Sequence, residues 1–172
     1  MVVLSLKRVP VPDDHVMLVS GQRRGWRMHS RTQYVLPIQS TACVAMNERN
    51  LEIPRGRYAP ITCADGGIVD VRMAMTLKVN DYQEDVIKAA QCIGSEAIND
   101  DGYLLEFFGP KLVWAVSVIA CHFTATDFMN KLAELSDDVS KVIGSDLNGF
   151  TLLRVELTPD RPDAVTSMGV FR

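Results

Sequence analysis

The chain has 172 residues, of which 47% are hydrophobic and 23% charged, a composition typical of one folded domain or of two small subdomains that share a core. It contains no run of eighteen apolar residues and only a short apolar stretch at its N-terminus, so neither a membrane-spanning helix nor a secretory signal is expected. The four cysteines match no zinc-binding spacing and include no CxxC pair, which predicts reduced thiols packed as small apolar side chains.

The charge is distributed unevenly along the chain. Residues 1–60 carry nine Lys and Arg against four Asp and Glu, whereas the remaining residues carry nine against seventeen, within a net charge of −3. A basic N-terminal part favours contact with an anionic surface near that end, although solvated surface charges without a function produce the same asymmetry. An isoelectric point near 5.6 and an aromatic content of 7% argue against a nucleic-acid-binding protein.

The first 60 residues predict β structure. A short apolar strand, a turn with glycines and arginines, and a second strand with Pro37 at an edge or a bulge come first. A weakly alternating strand and a short strand that ends at a proline follow. These segments are HVMLVS at 15–20, GQRRG at 21–25, YVLPI at 34–38, TACVAMN at 41–47 and LEIP at 51–54.

The stretch CADGGIVDVRMAMTLKV, residues 63–79, carries the strongest local pattern. Asp65 and Gly66 lie between two apolar runs, which is a strong hairpin signal. Apolar and polar side chains then alternate from Val69 to Val79. That period of two predicts one long strand with a buried face and a wet face.

Helices are predicted after this strand. Asp81 stands at an N-cap position and Gly94 at a C-terminal stop, which predicts a helix between them. A polar connection, residues 95–102, precedes the apolar segment 103–122. In that segment Pro110 is expected in the first turn of a helix that is buried against a sheet.

A further helix is predicted from Thr124, which forms a capping-box-like pair with Asp127 at the third helical position. Asn148-Gly149 is expected to end this helix, and a final strand follows at 150–157. The predicted fold class is therefore α+β, with a mostly antiparallel twisted sheet and helices packed on one side. The apolar stripe of the helix consists of Phe128, Leu132, Leu135, Val139 and Val142.

No catalytic constellation stands out in the sequence. Nucleotide-binding, zinc-protease and hydrolase motifs are absent, and three scattered histidines are too few for a metal site, so no catalytic, cofactor-binding or metal-binding residue is predicted. A small enzyme built on Cys121 and His122 is the weakest alternative, because adjacent helical residues point about 100° apart. Residues 100–101, both Asp, are expected in a turn or helix cap, and residues 137–138, also both Asp, on the wet face of a helix.

One surface feature, GQRRGWRMHSR at 21–31, suits an anionic lipid headgroup region, because cationic side chains stand beside a tryptophan. The membrane-contact residues predicted from it are Arg23, Arg24, Trp26, Arg27 and Arg31. The alternative is a solvated hairpin loop in which Trp26 folds back onto the sheet, and this alternative is favoured for Trp26.

The order of these segments resembles the SPFH (band 7) domain, and flotillin in particular. VMLVSGQRRGWR (16–27), YVLPIQS (34–40), LEI (51–53) and PITCADGGIVDVRMAMTLKV (60–79) are similar to the start of that domain. AAQCIG (89–94), FTATDFM (123–129), LNGFTLLRVELT (147–158) and SMGVFR (167–172) are similar to its later parts. Their common order along nearly the whole chain makes the resemblance fairly specific.

The resemblance implies a single SPFH domain over residues 1–172, with a β-rich part at 1–60, the long strand, helices and final strand at 61–158, and the start of a linker to a further helix at 159–172. It implies a non-enzymatic, membrane-associated scaffold that faces the cytoplasm, self-associates into homo-oligomers, contacts an anionic membrane surface and organises membrane microdomains without a cofactor. The family's membrane-inserting segment and C-terminal coiled coil are not found in these residues, so a segment of a longer protein is expected, with a divergent stand-alone domain as the alternative.

The helix LVWAVSVIACHF, residues 112–123, departs from the family pattern because it is more apolar, and Ser117 stands near a position where flotillins usually carry arginine. This departure favours a partner interface on the helix. The alternative function is a soluble adaptor domain that binds a membrane protein or protease through residues 103–123, with Trp114 and Phe123 as contacts.

Overall fold

The computed structural model describes residues 6–21, 25–54, 60–144, 147–160 and 165–166. Within them the chain forms small antiparallel sheets and α-helices, which confirms the predicted α+β class. The strands are β1 (Lys7–Val9), β2 (His15–Gly21), β3 (Gly25–His29), β4 (Gln33–Val35), β5 (Ser40–Ala45), β6 (Arg49–Glu52), β7 (Ile61–Thr62), β8 (Ile68–Val69), β9 (Val71–Val79), β10 (Phe150–Pro159) and β11 (Val165–Thr166). The helices are α1 (Gln83–Ile93), α2 (Asp101–Ala120), α3 (Ala125–Asn130) and α4 (Leu132–Ile143).

The chain divides into two compact units, each built from three separate segments. Unit 1 comprises Met1–Arg49, Lys78–Leu104 and Asp146–Thr151, and unit 2 comprises Asn50–Leu77, Leu105–Ser145 and Leu152–Arg172. In unit 1, β2 lies between β3 and β5, and β1 pairs with β4. In unit 2, β8 lies between β7 and β11, and most of the sheet with the order β10-β9-β6 also belongs to this unit.

The β3-β2-β5 sheet of unit 1 has one face toward β4 and one face toward α1. Its register pairs Val19 with Arg27 and Leu18 with Met28, so these two pairs lie on opposite faces of the sheet. On the face of Val19, which we call the β4 face, buried apolar side chains pack with Val35 into a small core. The face of Leu18, which we call the α1 face, is covered by helix α1.

The segment around β4 differs from its prediction. The strand predicted at 34–38 ends at Val35, because residues 36–39 form a turn. Gln39 closes this turn, since its Oε1 accepts a hydrogen bond from the Leu36 N–H at 2.8 Å while the Gln39 N–H donates to the Leu36 carbonyl at 2.9 Å. Pro37 therefore lies in a turn rather than at an edge or a bulge of a strand.

The hairpin predicted at Asp65-Gly66 is confirmed, because β7 and β8 pair antiparallel on either side of it. The single long strand predicted after it is divided at Asp70 into β8 and β9, which belong to different sheets. Side-chain alternation continues through the division, since Val69 and Val71 are both buried and Asp70 is exposed. The alternation of side chains shows which residues face the core, but it does not show which strand each residue pairs with. The division into β8 and β9 therefore could not be predicted from the sequence.

Helix α1 begins later than its prediction. Tyr82 occupies its N-cap position without a side-chain cap, so the predicted capping role of Asp81 is wrong. The Asp81 carboxylate instead pairs with Lys78 Nζ at 3.4 Å. The predicted stop at Gly94 is confirmed, and this glycine adopts a φ of 103°.

Helix α2 begins directly after Asp100 rather than at Pro110. Asp100 Oδ1 accepts hydrogen bonds from the N–H groups of Gly102 at 2.7 Å and Tyr103 at 3.3 Å, which confirms its expected role in a helix cap. Pro110 lies inside the helix, so its predicted place in the first turn is wrong. Gly109 precedes it and lacks a Cβ, which removes part of the clash that disfavours helical geometry before proline.

The capping pair Thr124–Asp127 is confirmed, because Thr124 Oγ1 accepts a hydrogen bond from the Asp127 N–H at 3.2 Å. The helix predicted to follow is interrupted at Lys131 and forms α3 and α4, which keep the predicted stripe buried or half-buried. Gly144 ends α4, with a φ of 79°. Asn148-Gly149 instead forms the turn that leads into β10, so its predicted role as the helix stop is wrong.

Candidate membrane and partner surfaces

Strand β3 positions the membrane-contact residues that the sequence predicts. Because neighbouring strand residues point to opposite faces, Arg27 lies on the β4 face and Trp26 on the α1 face. Arg31 follows the strand and is exposed, and neither Arg27 nor Arg31 forms an ion pair within the described residues. Arg23 and Arg24 lie outside the described residues. The structure therefore does not bring Trp26 and Arg27 together on one surface.

Trp26 is half-buried between the sheet and helix α1. It lines a small cavity of about 150 Å³ together with Leu18 and Ala42 of the sheet and Ile87 and Ala90 of the helix. This environment is that of a side chain packed back onto its own sheet.

An exposed apolar patch lies on the outer side of β1 and β4. The register places Arg8 opposite Tyr34, so the two side chains share a face, and Tyr34 is 65% exposed. Leu6, directly before β1, and Ile38, in the turn after β4, are exposed as well. We call these four residues the outer patch; Arg8, like the other two arginines, makes no ion pair within the part of the chain that the structure describes.

Next to the outer patch, an open cavity of about 500 Å³ lies on the β4 face of unit 1. One wall is formed by β2 and β3, from which Val19, Arg27 and His29 contribute side chains. The opposite wall is formed by β4 and the turn after it, which contribute Gln33 and Gln39. Cationic, hydrogen-bonding and apolar groups thus meet in one concave site.

Helix α2 carries a second exposed apolar surface. Phe107, Trp114 and Val118 share one side of the helix because they are spaced by seven and four residues, and Trp114 is 57% exposed. We call these three residues the α2 stripe. The sequence is apolar on nearly every side of this helix and predicts its burial, whereas the structure leaves this side exposed.

By length and composition alone, α2 also meets the criteria for a membrane-spanning helix, with 20 residues and a mean hydropathy of 1.4 in its most apolar window. Half of that window is buried inside the structure, as it is in ordinary core helices. Length and composition alone are therefore weak evidence that α2 spans a membrane.

Phe123, the other predicted partner contact, follows α2 and has a different environment from Trp114. Its side chain is half-buried, and Lys131 Nζ lies 5.6 Å from the centre of its ring. Its carbonyl accepts a hydrogen bond from the Ala64 N–H at 2.9 Å, which ties it to the hairpin of β7 and β8. Of the two predicted contacts, Trp114 is the more available to a partner.

Comparison with known families identifies the domain. The family described as SPFH domain / Band 7 family matches residues 10–166, which is most of the chain. The chain belongs to the SPFH/Band 7 family. Members of this family are generally membrane-associated scaffold proteins of a non-enzymatic kind. A comparison with curated proteins gave no match.

The candidate nucleophile–base pair of this SPFH domain lies in the turn after α2, where Cys121 and His122 are both exposed. No hydrogen bond joins their side chains within the described residues. Cys63 is buried, and that burial raises the pKa of its thiol above the usual range. Nowhere in the described ranges do three metal-ligating side chains come together.

Proposed function

We propose that this SPFH domain is a flotillin-like, non-enzymatic scaffold, which rests on an anionic, cytoplasm-facing membrane surface through unit 1 and self-associates into homo-oligomers that organise membrane microdomains. The observation that carries the membrane contact is the outer patch, where the exposed Tyr34 shares one face of β1 and β4 with Arg8, and the exposed Leu6 and Ile38 directly flank these strands. Arg27 and Arg31 add two further exposed cations in the same unit.

The chemistry of these side chains supports an interfacial contact. Cationic residues near an anionic bilayer are each worth about 1 kcal/mol, and aromatic side chains with a polar tip favour the headgroup level. The arginines are free of ion pairs within the described residues, so their charge is available to lipid phosphates. Because the chain as a whole is acidic, the attraction is local and is expected to be sensitive to salt.

Flotation with liposomes tests this contact. The chain is expected to float with vesicles of phosphatidylserine and phosphatidylcholine at about 0.05 M salt and to be released at about 0.5 M salt. The double variant Arg8→Gln/Arg31→Gln should lose most of the binding, since each arginine contributes several-fold in affinity.

The matched control is Lys141→Gln/Arg154→Gln, which removes two exposed charges of unit 2 that already pair with Asp138 at 2.7 Å and Glu156 at 3.1 Å. It should float like the wild-type chain. Wild-type protein that stays with the soluble fraction at both salt concentrations, or a control that loses as much as the double variant, would contradict the proposed contact.

A second candidate function is an adaptor domain that binds a membrane protein or protease through residues 103–123. The α2 stripe favours it, because a tryptophan that is more than half exposed on an apolar helix side resembles the anchor of a protein interface. The oligomeric state of the wild-type chain distinguishes this function from self-association, and substitution of Trp114 tests the contact in either case.

A further inference from the structure

The cavity on the β4 face of unit 1 has the chemical composition of a binding site. Its two walls come from elements held by separate contacts, since β3 pairs along β2 while β4 pairs with β1. Its floor contains Val19 and Val35, which belong to the buried core of this face. The site is therefore built on the sheet and its packed neighbour.

Its polar groups are mostly donors. Arg27 and His29 are two residues apart on β3, which places them on the same face about 6–7 Å apart along the strand. Gln33, which shares its strand face with Val35, adds an amide from the opposite wall. No Asp or Glu is among the described residues that line the cavity, so nothing there neutralises the guanidinium or competes with an anion.

Gln39 provides the most sharply defined donor. Its Oε1 accepts a hydrogen bond from the Leu36 N–H at 2.8 Å, so the donor Nε2 lies on the opposite side of the amide group from this bond. Nε2 lies 3.9 Å from the place that a Cβ on Gly21 would occupy. Gly21 thus leaves open the space in front of this donor, on the wall opposite the turn.

We propose that this cavity binds a phosphate ester that carries an apolar group. A guanidinium and donors from both walls suit a tetrahedral oxyanion better than a planar carboxylate, which offers only two oxygens. Val19, Leu36 and Ile38 line the same cavity and match an apolar substituent. A volume of about 500 Å³ lies within the usual range for small-molecule sites and exceeds what an inorganic anion alone fills.

Two sources share this chemistry, a phospholipid headgroup with part of its chains and a soluble organic phosphate. The first deepens the proposed membrane contact, because Tyr34 and Ile38 of the outer patch also line the cavity. In that case the inference rests on the proposed function, and the domain holds one lipid by its headgroup in addition to its general attraction to an anionic surface.

Titration of the full chain with soluble probes tests the cavity apart from the membrane. The probes are dihexanoyl phosphatidic acid below its micellar concentration, glycerol 3-phosphate and inorganic phosphate, and the readout is the ¹H–¹⁵N NMR shift of the Arg27 amide and the Gln39 side-chain amide. A lipid source predicts that the short-chain lipid binds at least about tenfold more tightly than glycerol 3-phosphate, because only the lipid fills the apolar wall. Equal binding of the two esters overturns the apolar part of the proposal, since glycerol 3-phosphate carries no apolar group.

Three variants locate the binding. Arg27→Gln should weaken binding of the short-chain lipid at least about tenfold, since a charge-assisted hydrogen bond is lost. Gly21→Leu fills the cavity without changing the charge and should abolish binding. Arg31→Gln, which removes an equivalent exposed charge outside the cavity, should change binding by less than about twofold.

The outcomes separate the two proposals. A wild-type chain that floats with anionic liposomes and shows no shift at Arg27 and Gln39 with any probe overturns the cavity and leaves the membrane contact standing. Equal weakening by Arg27→Gln and Arg31→Gln overturns the cavity as well, because it indicates attraction by net charge alone. Specific binding of the short-chain lipid by a chain that never floats supports the cavity, with a soluble phosphate ester as its ligand, and contradicts the membrane contact.

Discussion

Gly149 has no room for a side chain, because backbone atoms of helix α1 occupy the place that its Cβ would take. Its φ is +90°, and a Cβ at this position would lie 2.2 Å from the Asp85 carbonyl oxygen and 3.1 Å from the Ala89 nitrogen of helix α1. Gly144 has a similar φ of +79° but open space around it. Gly149→Ala is therefore expected to lower the free energy of unfolding by more than about 3 kcal/mol, and Gly144→Ala by about 1 kcal/mol, in urea titrations. Equal losses would show that backbone strain alone sets the cost.

The predicted membrane cluster is divided because its neighbouring residues lie on a strand. In the sequence, Trp26 and Arg27 are neighbours, and neighbours in a loop can share a surface. Pairing of Ser20 with Trp26 and of Val19 with Arg27 extends β3 to these residues and turns them to opposite faces. The short sequence of β3 has no alternation of its own, so its strand conformation depends on β2 and is not readable locally. Tyr34, by contrast, lies in a segment where the sequence does predict a strand.

Asp65 joins the hairpin of β7 and β8 to the start of α3. Its carboxylate accepts hydrogen bonds from the N–H groups of Gly67 at 2.9 Å and Ala125 at 3.1 Å. These bonds, first that from Gly67 and then that from Ala125, hold the pKa of Asp65 below its ordinary value of 3.8. A lowered pKa in the folded state contributes stability above pH 3.8, and this contribution is lost as the pH falls through the lower folded value.

Asp65→Asn is accordingly expected to lower the urea midpoint at neutral pH, and the difference from the wild-type chain should shrink as the pH falls from about 5 to about 2. Asp137→Asn is the control, since Asp137 is exposed on α4 and its carboxylate makes no hydrogen bond within the described residues. It should leave the midpoint nearly unchanged across the same range. If the difference in urea midpoint between Asp65→Asn and the wild-type chain did not change with pH, the cost would come from a poorer fit of the amide and not from lost charge-assisted hydrogen bonds.

Elements with a complete local signal could be predicted, and those set by tertiary contacts could not. Alternation identified the buried face of β9, and the pair Thr124–Asp127 identified the start of α3. The start of α2 was hidden because its first turn is polar, while Pro110 offered a stronger but misleading signal. The outer patch and the cavity needed the pairing of β1 with β4, which joins segments that no short-range pattern connects.

Self-association of whole molecules is the part of the proposed scaffold that the α2 stripe makes testable. An exposed tryptophan on an apolar helix side loses its water on association, and such anchors typically contribute about 2 kcal/mol or more. If copies of the chain meet through this side, Trp114→Glu should weaken self-association by about thirtyfold or more in sedimentation equilibrium. Because Trp114 is 57% exposed, the variant should stay folded.

Tyr82→Glu is the matched control, since Tyr82 is an aromatic residue of unit 1 that is 77% exposed and lies outside α2. It should associate like the wild-type chain, and equal weakening by both variants would indicate a general effect of added charge. A wild-type chain that remains monomeric at every concentration contradicts self-association through the α2 stripe. The adaptor function then predicts that cross-linking to proteins of native membranes is lost with Trp114→Glu and retained with Tyr82→Glu, because only the first removes an apolar anchor from the helix.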